Sequence, residues 1–551
     1  MKRGIAVLLG FFLTFPLLAA ETQRYLVSTR GGTKATARTR VASNAALAAE
    51  RQVRTFRNVN AFAANLTAEE VAELRQSGDV IVEPVIERSL DSADLAGFPA
   101  RVRTNEEVTP QADPQEIPWG LQMIHAKDVW NVTRGENVNV VVMDTGIDYS
   151  HPDLQDAYVG GYNVFDPSKT PMDGHRHGTH VAGTIAAADN DFGVIGVAPK
   201  VKLWGVKVLA DDGRGTNETV AAGFDWVMSK QKELGGRWVI NLSLGSTIAS
   251  EIEERAVSDT LSQDIVIVAS AGNRSIDALK YPAKYPGVIA VGAIDINSEK
   301  AYFSSYGVGL TIMAPGVDVR STIIKGIQES TDIRTSNELL EAWRVTGSPY
   351  ASVTARVLDC GIGLPTDFPW DIRGKIALIR RSSGMSFREK VRNAHEAGAA
   401  AVIIATFEED RAPSGDWTLP PLTPDPFWES YPFPLTVGTY YETGEKLAKS
   451  SSPITVSHRT ALYGEMDGTS MAAPHVTGTV ALMLSAAPDL AVAQIDYVLR
   501  HSAHDIDVSG WDYNTAWGIV DAFAAAKWVA PQKFGVSPPP PVVSPKRRAV
   551  R

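Results

Sequence analysis

Residues 140–148 read VVVMDTGID, a continuous apolar run that ends in an acidic residue and a glycine. Such a run is typical of a strand that is buried on both faces of a parallel sheet. Similar runs occupy residues 202–208, 238–242, 265–269 and 288–293. Helical stretches lie between them at residues 181–188 and 219–234. The alternation predicts an α/β fold, with helices packed on a mainly parallel central sheet.

The composition of the whole chain is that of a globular protein. Its 551 residues carry a net charge of −10, and 44% of them are hydrophobic. These values exclude a wholly disordered, collagen-like or coiled-coil chain, and the length suggests about three folded units. No long basic stripe occurs in the sequence, so nucleic acid is not an expected partner. Cys360 is the single cysteine, which excludes an intrachain disulfide, and we interpret it as a buried or idle thiol.

Residues 1–20 have the parts of a signal peptide. Lys2 and Arg3 precede an apolar run over residues 5–18, and two alanines follow before Glu21. The run is shorter than the roughly 20 residues of a membrane-spanning helix. We therefore expect a secreted, extracellular protein of a bacterium, placed outside the cell, in the periplasm or on the outer surface, with no stable membrane span. An uncleaved anchor is the alternative.

Residues 21–110 have the pattern of a small α+β module. The expected elements are strands at 24–27 and 79–84, a helix over 46–56, and a second helix that begins after Thr67. Glu70 lies three residues after Thr67 and completes the pattern of a capping box. The polar residues 105–114, with two prolines, are expected to form a linker.

The α/β pattern is interrupted once along the chain. It extends over residues 115–322 and resumes over 462–530, whereas 325–460 has a pattern of its own. The expected elements there are strands at 374–379 and 400–405 and a helix at 386–397, followed by proline-rich loops. We interpret 325–460 as an inserted domain. The tail over 537–551 has four consecutive prolines and a basic cluster, and we expect it to be disordered.

Three polar residues stand at chemically suitable places in this pattern. Asp144 ends the first strand, His177 begins a helix of small residues, and Ser470 follows Gly468 at another helix start. Open α/β sheets bind ligands at the carboxyl ends of their strands. An aspartic protease would need a second Asp-Thr-Gly, and zinc on His177 and His180 would need a third ligand; the sequence offers neither pattern. A simple helix cap is the alternative for Ser470.

The chain order Asp144, His177, Ser470 is that of the catalytic triad in subtilisins. With Asn273 at the end of the run IVIVASAGN, the chain resembles the subtilase family of serine proteases. The resemblance covers residues 115–322 and 462–528. It implies a subtilisin-like three-layer fold and a serine endopeptidase that cuts protein or peptide substrates. Ser470 would be the nucleophile and His177 its general base. Asp144 would orient the imidazole, and Asn273 would donate to the oxyanion.

The resemblance also assigns substrate-binding residues. They are Gly213, Arg214, Gly215, Ser243, Leu244, Gly245, Ala271 and Gly272. Glycines would let an extended peptide pair with these segments, although they could also be ordinary turns. The primary pocket would lie between residues 243–245 and 270–273, with Leu279 or Lys280 at its floor. We expect large apolar substrate residues in it.

A structural calcium ion is a further implication of the resemblance. Its side-chain ligands would be Gln115, Asp153 and Asn190, and its carbonyl ligands would be Ala188, Phe192 and Val194. Ligands that are all oxygens suit this hard cation. A polar surface loop is the alternative.

The remaining segments resemble companions of subtilases. Residues 21–110 resemble a propeptide, which would aid folding and inhibit the enzyme intramolecularly until its removal near 105–114; a permanent accessory domain is the alternative. Residues 325–460 resemble a β-rich protease-associated (PA) domain, which would influence substrate access or protein contacts. We expect a monomeric, self-processing zymogen. The alternative function is a catalytically silent or self-inhibited binding protein on the same scaffold.

Overall fold

The described part of the chain covers most of the predicted modules. The computed structural model describes residues 22–29, 41, 45–90, 115–325, 329–336, 338–345, 348–382, 384–406 and 434–535. The signal peptide, the 105–114 linker, the proline-rich stretch at 420–432 and the 537–551 tail lie outside these residues. Within the described ranges, no helix combines the length and the apolar character that crossing a membrane requires.

The N-terminal unit is a four-stranded antiparallel sheet with helices. Its elements are β1 (Gln23–Thr29), α1 (Ala45–Glu50), β2 (Arg54–Thr55), β3 (Ala61–Leu66), α2 (Ala68–Gln76), β4 (Val80–Pro84) and β5 (Glu87–Ser89). The sheet has the order β2-β3-β1-β4, and β5 leaves it to pair elsewhere. The capping box at the start of α2 is confirmed. The Thr67 hydroxyl accepts a hydrogen bond from the Glu70 backbone N–H, and the Glu70 carboxylate accepts one from the Thr67 backbone N–H.

The helix predicted over 46–56 is wrong in its second half. α1 ends at Glu50, and Gln52 has a φ of 49°, a left-handed conformation that does not continue a right-handed helix. The chain then pairs as the edge strand β2, and Phe56 is buried in the core shared with the central sheet. After Glu50, this segment therefore forms a turn and a short strand instead of continuing the helix.

The first part of the central unit contains the parallel strands that the sequence predicts. Its elements are α3 (Trp119–Met123), α4 (Ala126–Val129), β6 (Val138–Asp144), β7 (Tyr158–Asn163), α5 (His177–Ala186), β8 (Lys202–Lys207), β9 (Arg214–Thr216), α6 (Asn217–Leu234), β10 (Arg237–Leu242), α7 (Glu251–Leu261), β11 (Ile265–Ser270), β12 (Ile289–Ile294), β13 (Ile312–Pro315) and β14 (Val319–Thr322). Seven strands form one sheet in the order β13-β12-β11-β10-β6-β8-β7, and all its pairs are parallel. The central strands β6, β10 and β11 are buried except for Arg237 at the start of β10, as continuous apolar runs require.

The insert is rich in strands, as expected. Its elements are β15 (Glu329–Arg334), β16 (Leu339–Glu341), β17 (Trp343–Arg344), β18 (Ala351–Ala355), β19 (Val357–Asp359), a 3₁₀ turn (Pro365–Asp367), β20 (Ile376–Arg380), α8 (Phe387–Ala397), β21 (Ala401–Ala405), β22 (Leu435–Thr439), α9 (Tyr441–Ala448) and β23 (Ile454–Thr460). They form a four-stranded and a five-stranded sheet. Burial raises the pKa of the Cys360 thiol to about 12, so this thiol is inert at neutral pH.

The second part of the central unit completes the sheet layers. Its elements are β24 (Tyr463–Met466), α10 (Thr469–Ala486), α11 (Val492–Ser502), α12 (Ala522–Val529) and a 3₁₀ turn (Pro531–Phe534). β24 pairs antiparallel with β14, so the two chain crossings into and out of the insert lie side by side. This ladder connects the two parts of the central unit at the base of the insert.

Helices cover both faces of the central sheet. Met143 and Asp144 are neighbours in β6 and therefore point to opposite faces. A Cβ on Gly223 of α6 would lie 2.5 Å from Met143 Cε, whereas one on Gly178 of α5 would lie 3.2 Å from Asp144 Cβ. α10 packs beside α5, and α7 packs beside α6. The fold is therefore the predicted three-layer α/β arrangement.

Candidate active site

Asp144, His177 and Ser470 all lie at the carboxyl edge of the central sheet. Asp144 is the last residue of β6, His177 is the first of α5, and Ser470 is the second of α10. All three are buried. The parallel topology places strand ends and helix starts at one edge, which is where α/β sheets build their sites.

Asp144 and His177 form a buried hydrogen-bonded pair. His177 Nδ1 lies 2.8 Å from Asp144 Oδ1, and the backbone N–H of Thr145 donates to the same oxygen at 2.7 Å. Both side chains are fully buried. A carboxylate beside Nδ1 favours the tautomer with its proton there, which makes Nε2 the basic nitrogen. Gly178 permits this approach, because a Cβ there would lie 2.1 Å from the carbonyl oxygen of Gly146.

Ser470 is held by contacts with the neighbouring strand end. Its Oγ donates to the carbonyl oxygen of Ser243 at 3.2 Å, and Ser243 Oγ donates to the carbonyl oxygen of Ser470 at 2.7 Å. Gly468 precedes the helix at a φ of 152°, a conformation that favours glycine. The N-terminus of α10 therefore directs its positive dipole end to the region of the Ser470 hydroxyl.

The side chain of Asn273 is oriented by Thr469, a residue to which the sequence analysis gives no role. Asn273 Oδ1 accepts hydrogen bonds from Thr469 N at 2.9 Å and from Thr469 Oγ1 at 2.7 Å. The Thr469 hydroxyl in turn accepts from Gly272 N at 3.1 Å. Because both donors face Oδ1, the amide presents Nδ2 on its other side. The only sequence signal for Thr469 is its position directly before Ser470.

The predicted substrate-binding segments face each other across an extended strand. β5 pairs antiparallel with β9, which contains Arg214 and Gly215. On its other side, Ser89 N donates to the carbonyl oxygen of Gly245 at 3.2 Å, and Gly245 N donates to Ser89 O at 3.0 Å. Leu90 N also donates to Gly213 O at 3.2 Å. Residues 213–215 and residues 243–245 thus lie on the two sides of a strand of the N-terminal unit. We call these two segments the walls of the cleft.

Lys280 lies between the walls of the predicted primary pocket. A Cβ built on Gly245 would lie 3.1 Å from Lys280 Cβ, and one built on Gly272 would lie 3.0 Å from Lys280 Cγ. Leu279 instead lies near Gly309. Burial lowers the pKa of Lys280 to about 8. Of the two residues considered for the floor, Lys280 is therefore the one that contacts both walls of this pocket, and the expected preference for large apolar substrate residues stays a prediction.

His180 connects α5 to the ladder at the base of the insert. Its Nε2 lies 2.8 Å from the carbonyl oxygen of Val319 in β14 and 3.2 Å from that of Gly464 in β24. Burial lowers its pKa to about 3, so the ring is neutral at physiological pH. These contacts give His180 a structural role.

The predicted calcium ligands are also brought together. Asn190 Nδ2 donates to Asp153 Oδ1 at 2.8 Å, and Gln115 Nε2 donates to the carbonyl oxygen of Ala188 at 2.7 Å. Val194 N approaches Asp153 Oδ2 at 3.4 Å. The backbone N–H of Phe192 similarly approaches Asn190 Oδ1 at 3.4 Å. The Tyr463 hydroxyl, which is not among the predicted ligands, also donates to Asp153 Oδ2 at 2.8 Å. Burial raises the pKa of Asp153.

Comparison with known families gives two matches. Residues 135–348 and 431–518 match the subtilase family. Residues 346–432 match the PA domain, so this match lies within the span of the first.

Several characterised proteases are similar to the chain. Subtilisin BL from Lederbergia lenta is 45% identical over 209 residues, which cover 38% of this chain and 75% of that protein. An alkaline protease from Shouchella clausii is 40% identical over 263 residues, 47% of this chain and 67% of that protein. Subtilisin E from Bacillus subtilis is 35% identical over 326 residues, 58% of this chain and 73% of that protein.

Two solved structures resemble the fold. The subtilisin-like protease Apa1 from an Antarctic Pseudoalteromonas has a TM-score of 0.51 and 27% identity, covering 77% of this chain and 100% of that one. Fervidolysin from Fervidobacterium pennivorans has a TM-score of 0.55 and 23% identity, covering 92% of this chain and 61% of that one. The second likeness concerns the fold alone.

Proposed function

Because the chain belongs to the subtilase family and is a serine endopeptidase, we propose that it cuts proteins with Asp144, His177 and Ser470 as its triad. The observation that carries this proposal is the buried contact of 2.8 Å between His177 Nδ1 and Asp144 Oδ1, at the sheet edge where Ser470 lies in the first turn of α10. A serine hydroxyl attacks a peptide carbonyl only when a base takes its proton.

In the proposed mechanism, His177 Nε2 accepts the Ser470 proton as Oγ attacks and later gives it to the leaving amine. Asp144 keeps the imidazole in the required tautomer and stabilises its cation. Asn273 Nδ2 and the Ser470 backbone N–H donate to the oxyanion, beside the positive end of α10. Thr469 positions the Asn273 amide for this donation.

Hydrolysis of casein tests the catalytic assignment. We expect Ser470→Ala to lose activity by a factor of about 10⁶, whereas Ser262→Ala, a change at an exposed hydroxyl, keeps it. Casein that stays intact even with the wild-type enzyme would instead support the silent or self-inhibited binding protein.

We also propose that residues 21–110 are an inhibitory propeptide, and three contacts with the central unit support this. Arg24 makes two hydrogen bonds of 2.8 Å to Glu218. The Glu83 carboxylate accepts from the backbone N–H of Glu251 at 2.9 Å, so it caps the N-terminus of α7 from the other unit. β5 fills the cleft between β9 and Gly245. An N-terminal unit in this place aids assembly of the sheet and excludes substrates until it is removed near 105–114.

We propose a structural calcium ion held by the side chains of Gln115, Asp153 and Asn190, with carbonyl oxygens of Ala188, Phe192 and Val194. The fit rests on the buried Asp153 carboxylate and on its contact with the Asn190 amide, because carboxylate, amide and carbonyl oxygens are the ligands that this cation prefers. Gln115 and Asn190 would bind the ion through their side-chain amide oxygens. We expect EGTA to lower the Tm of the wild type and to leave that of Asp153→Ala unchanged.

The remaining proposals concern location and partners. We propose that the protein is exported after removal of residues 1–20 and acts as a monomer on protein or peptide substrates, without nucleic acid as a partner. The PA insert stands on the β14–β24 ladder, to which α5 is tied through His180. From this place it would influence substrate access or protein contacts.

A further inference from the structure

The strand in the cleft shows how an extended peptide meets the two walls. Ser89 exchanges two backbone hydrogen bonds with Gly245, and Leu90 N donates to Gly213 O. A substrate that adds a strand to these walls can make the same bonds with any sequence. Selectivity therefore depends on the pockets that its side chains enter.

Arg88 occupies one such pocket and meets a buried acid there. Its Nε lies 3.0 Å from Glu253 Oε1, and its Nη2 lies 2.6 Å from Glu253 Oε2. Both side chains are 0% exposed. The Tyr285 hydroxyl also donates to Glu253 Oε2 at 3.0 Å. This two-pronged geometry suits a guanidinium better than a lysine ammonium.

The Glu253 pocket favours a basic occupant when β5 leaves. Glu253 belongs to α7 of the central unit, whereas Arg88 belongs to the N-terminal unit. A carboxylate in a desolvated pocket needs a donor, and an acidic or apolar substrate residue would not provide one. An arginine in a substrate would restore the contacts seen with Arg88.

The register of the strand leads from this pocket to the nucleophile. Ser89 is opposite Gly245 in an antiparallel bridge, so a peptide continuing in this register would set its second following residue opposite Ser243. The Ser243 carbonyl oxygen accepts from Ser470 Oγ at 3.2 Å. The substrate residue that precedes the cut bond is therefore the third residue after the one in the Glu253 pocket.

That residue would enter the pocket that contains Lys280. The aliphatic stem of Lys280 lies against both glycine walls, at Gly245 and Gly272, and the residue is buried. An acidic side chain is the occupant whose charge complements this ammonium.

On the basis of the proposed function, we propose that this protease selects its substrates by charge at two positions. Glu253 receives an arginine, and Lys280 receives an aspartate or glutamate three residues later, directly before the cut bond. The preferred substrates are thus segments of the form Arg-x-x-Asp or Arg-x-x-Glu.

The test uses the full chain after self-processing and a panel of peptide anilides. The parent is Arg-Ser-Leu-Asp-p-nitroanilide, and its relatives carry Glu in place of Arg or Leu in place of Asp. We expect kcat/KM to fall by about 30-fold or more for each replacement. Casein hydrolysis by the wild type and by Ser470→Ala is measured in parallel.

Variants of the two pocket residues assign each preference. Glu253→Gln should remove the discrimination at the arginine position, and Lys280→Met should remove the discrimination at the aspartate position. Glu254→Gln and Lys284→Met change exposed neighbours and should keep both preferences. If either pocket variant fails to fold, the wild-type panel decides alone.

The outcomes separate the two proposals. Cleavage of casein with a flat peptide panel, or with a preference for leucine before the cut bond, overturns the charge selection and leaves the proposed function intact. No cleavage of casein or of any peptide overturns the proposed function and this inference with it. A preference for both charges that the pocket variants abolish supports the inference.

Discussion

Two buried contacts to carboxylates organise the cleft, and they differ in where the donor comes from. His177 donates to Asp144 from within the central unit, whereas Arg88 donates to Glu253 from the N-terminal unit. All four side chains are fully buried. In both cases a desolvated carboxylate needs a donor. A permanent donor makes a fixed catalytic pair, and a donor that can leave makes a pocket for recognition.

Breaking the permanent contact should have the largest effect. Asp144→Asn keeps the shape of the side chain but favours the wrong tautomer of His177, so we expect kcat to fall by about 10⁴. The rate on the Arg-Ser-Leu-Asp anilide measures this. A loss smaller than tenfold would show that Asp144 does not orient the base.

Breaking the contact between Arg88 and Glu253 should destabilise the chain that still carries its N-terminal unit. In the uncleavable Ser470→Ala background, Arg88→Ala should lower the free energy of unfolding by about 3–5 kcal/mol, because Glu253 stays buried without its donor. Urea unfolding followed by fluorescence measures this. The matched control is Arg214→Ala, which breaks an exposed ion pair with Glu87. The Arg214 side chain is 54% exposed and that of Glu87 is 58% exposed, so this change should lower the free energy of unfolding by only about 0–1 kcal/mol. Equal losses would contradict the comparison.

A buried histidine, His475, sharpens the comparison because it has no carboxylate partner among the residues that the structure describes. His475 Nδ1 donates to the carbonyl oxygen of Met471 at 2.9 Å, and burial lowers its pKa from 6.5 to about 4. Between these values the unfolded chain binds more protons than the folded one, so stability rises with pH across this window and is lost on acidification. Between pH 7 and pH 4.5 the loss from this residue should be about 2 kcal/mol.

Urea unfolding of the Ser470→Ala chain at pH 7 and pH 4.5 measures that loss. His475→Gln should show a smaller difference between the two pH values. An unchanged difference would mean that other groups carry the acid sensitivity.

The smallest expected effect concerns the positioning of Asn273. Thr469→Val removes one of the two donors to Asn273 Oδ1, and we expect about a tenfold lower kcat at unchanged KM. Thr469→Ser keeps the hydroxyl and should restore most of the rate. A change confined to KM would assign Thr469 to substrate binding instead.

The sequence predicts those parts of the molecule that depend on local pattern. Continuous apolar runs give the parallel strands, and the capping box gives the start of α2. The helix expected over 46–56 fails because Phe56 takes its place in a core formed by residues distant in sequence. A local apolar pattern cannot distinguish a continued helix from the turn and edge strand that this segment forms.

The residues of the site likewise fall into those that a local sequence pattern predicts and those that it does not. The motifs around Asp144, His177 and Ser470 can be recognised in the sequence, because each extends over several residues. Glu253 lies in an ordinary helix and is 165 residues from Arg88, and Thr469 is 196 residues from Asn273. These contacts form only in the folded protein, so no local sequence pattern predicts a role for Glu253 or Thr469.

Intact mass spectrometry of the full chain tests the central claim most directly. Wild type and Ser470→Ala are expressed from residue 21 onward and weighed under the same conditions. The account predicts that the wild type loses its N-terminal unit and that Ser470→Ala keeps it. Loss of the unit from both chains, or from neither, would contradict the claim that Ser470 removes it.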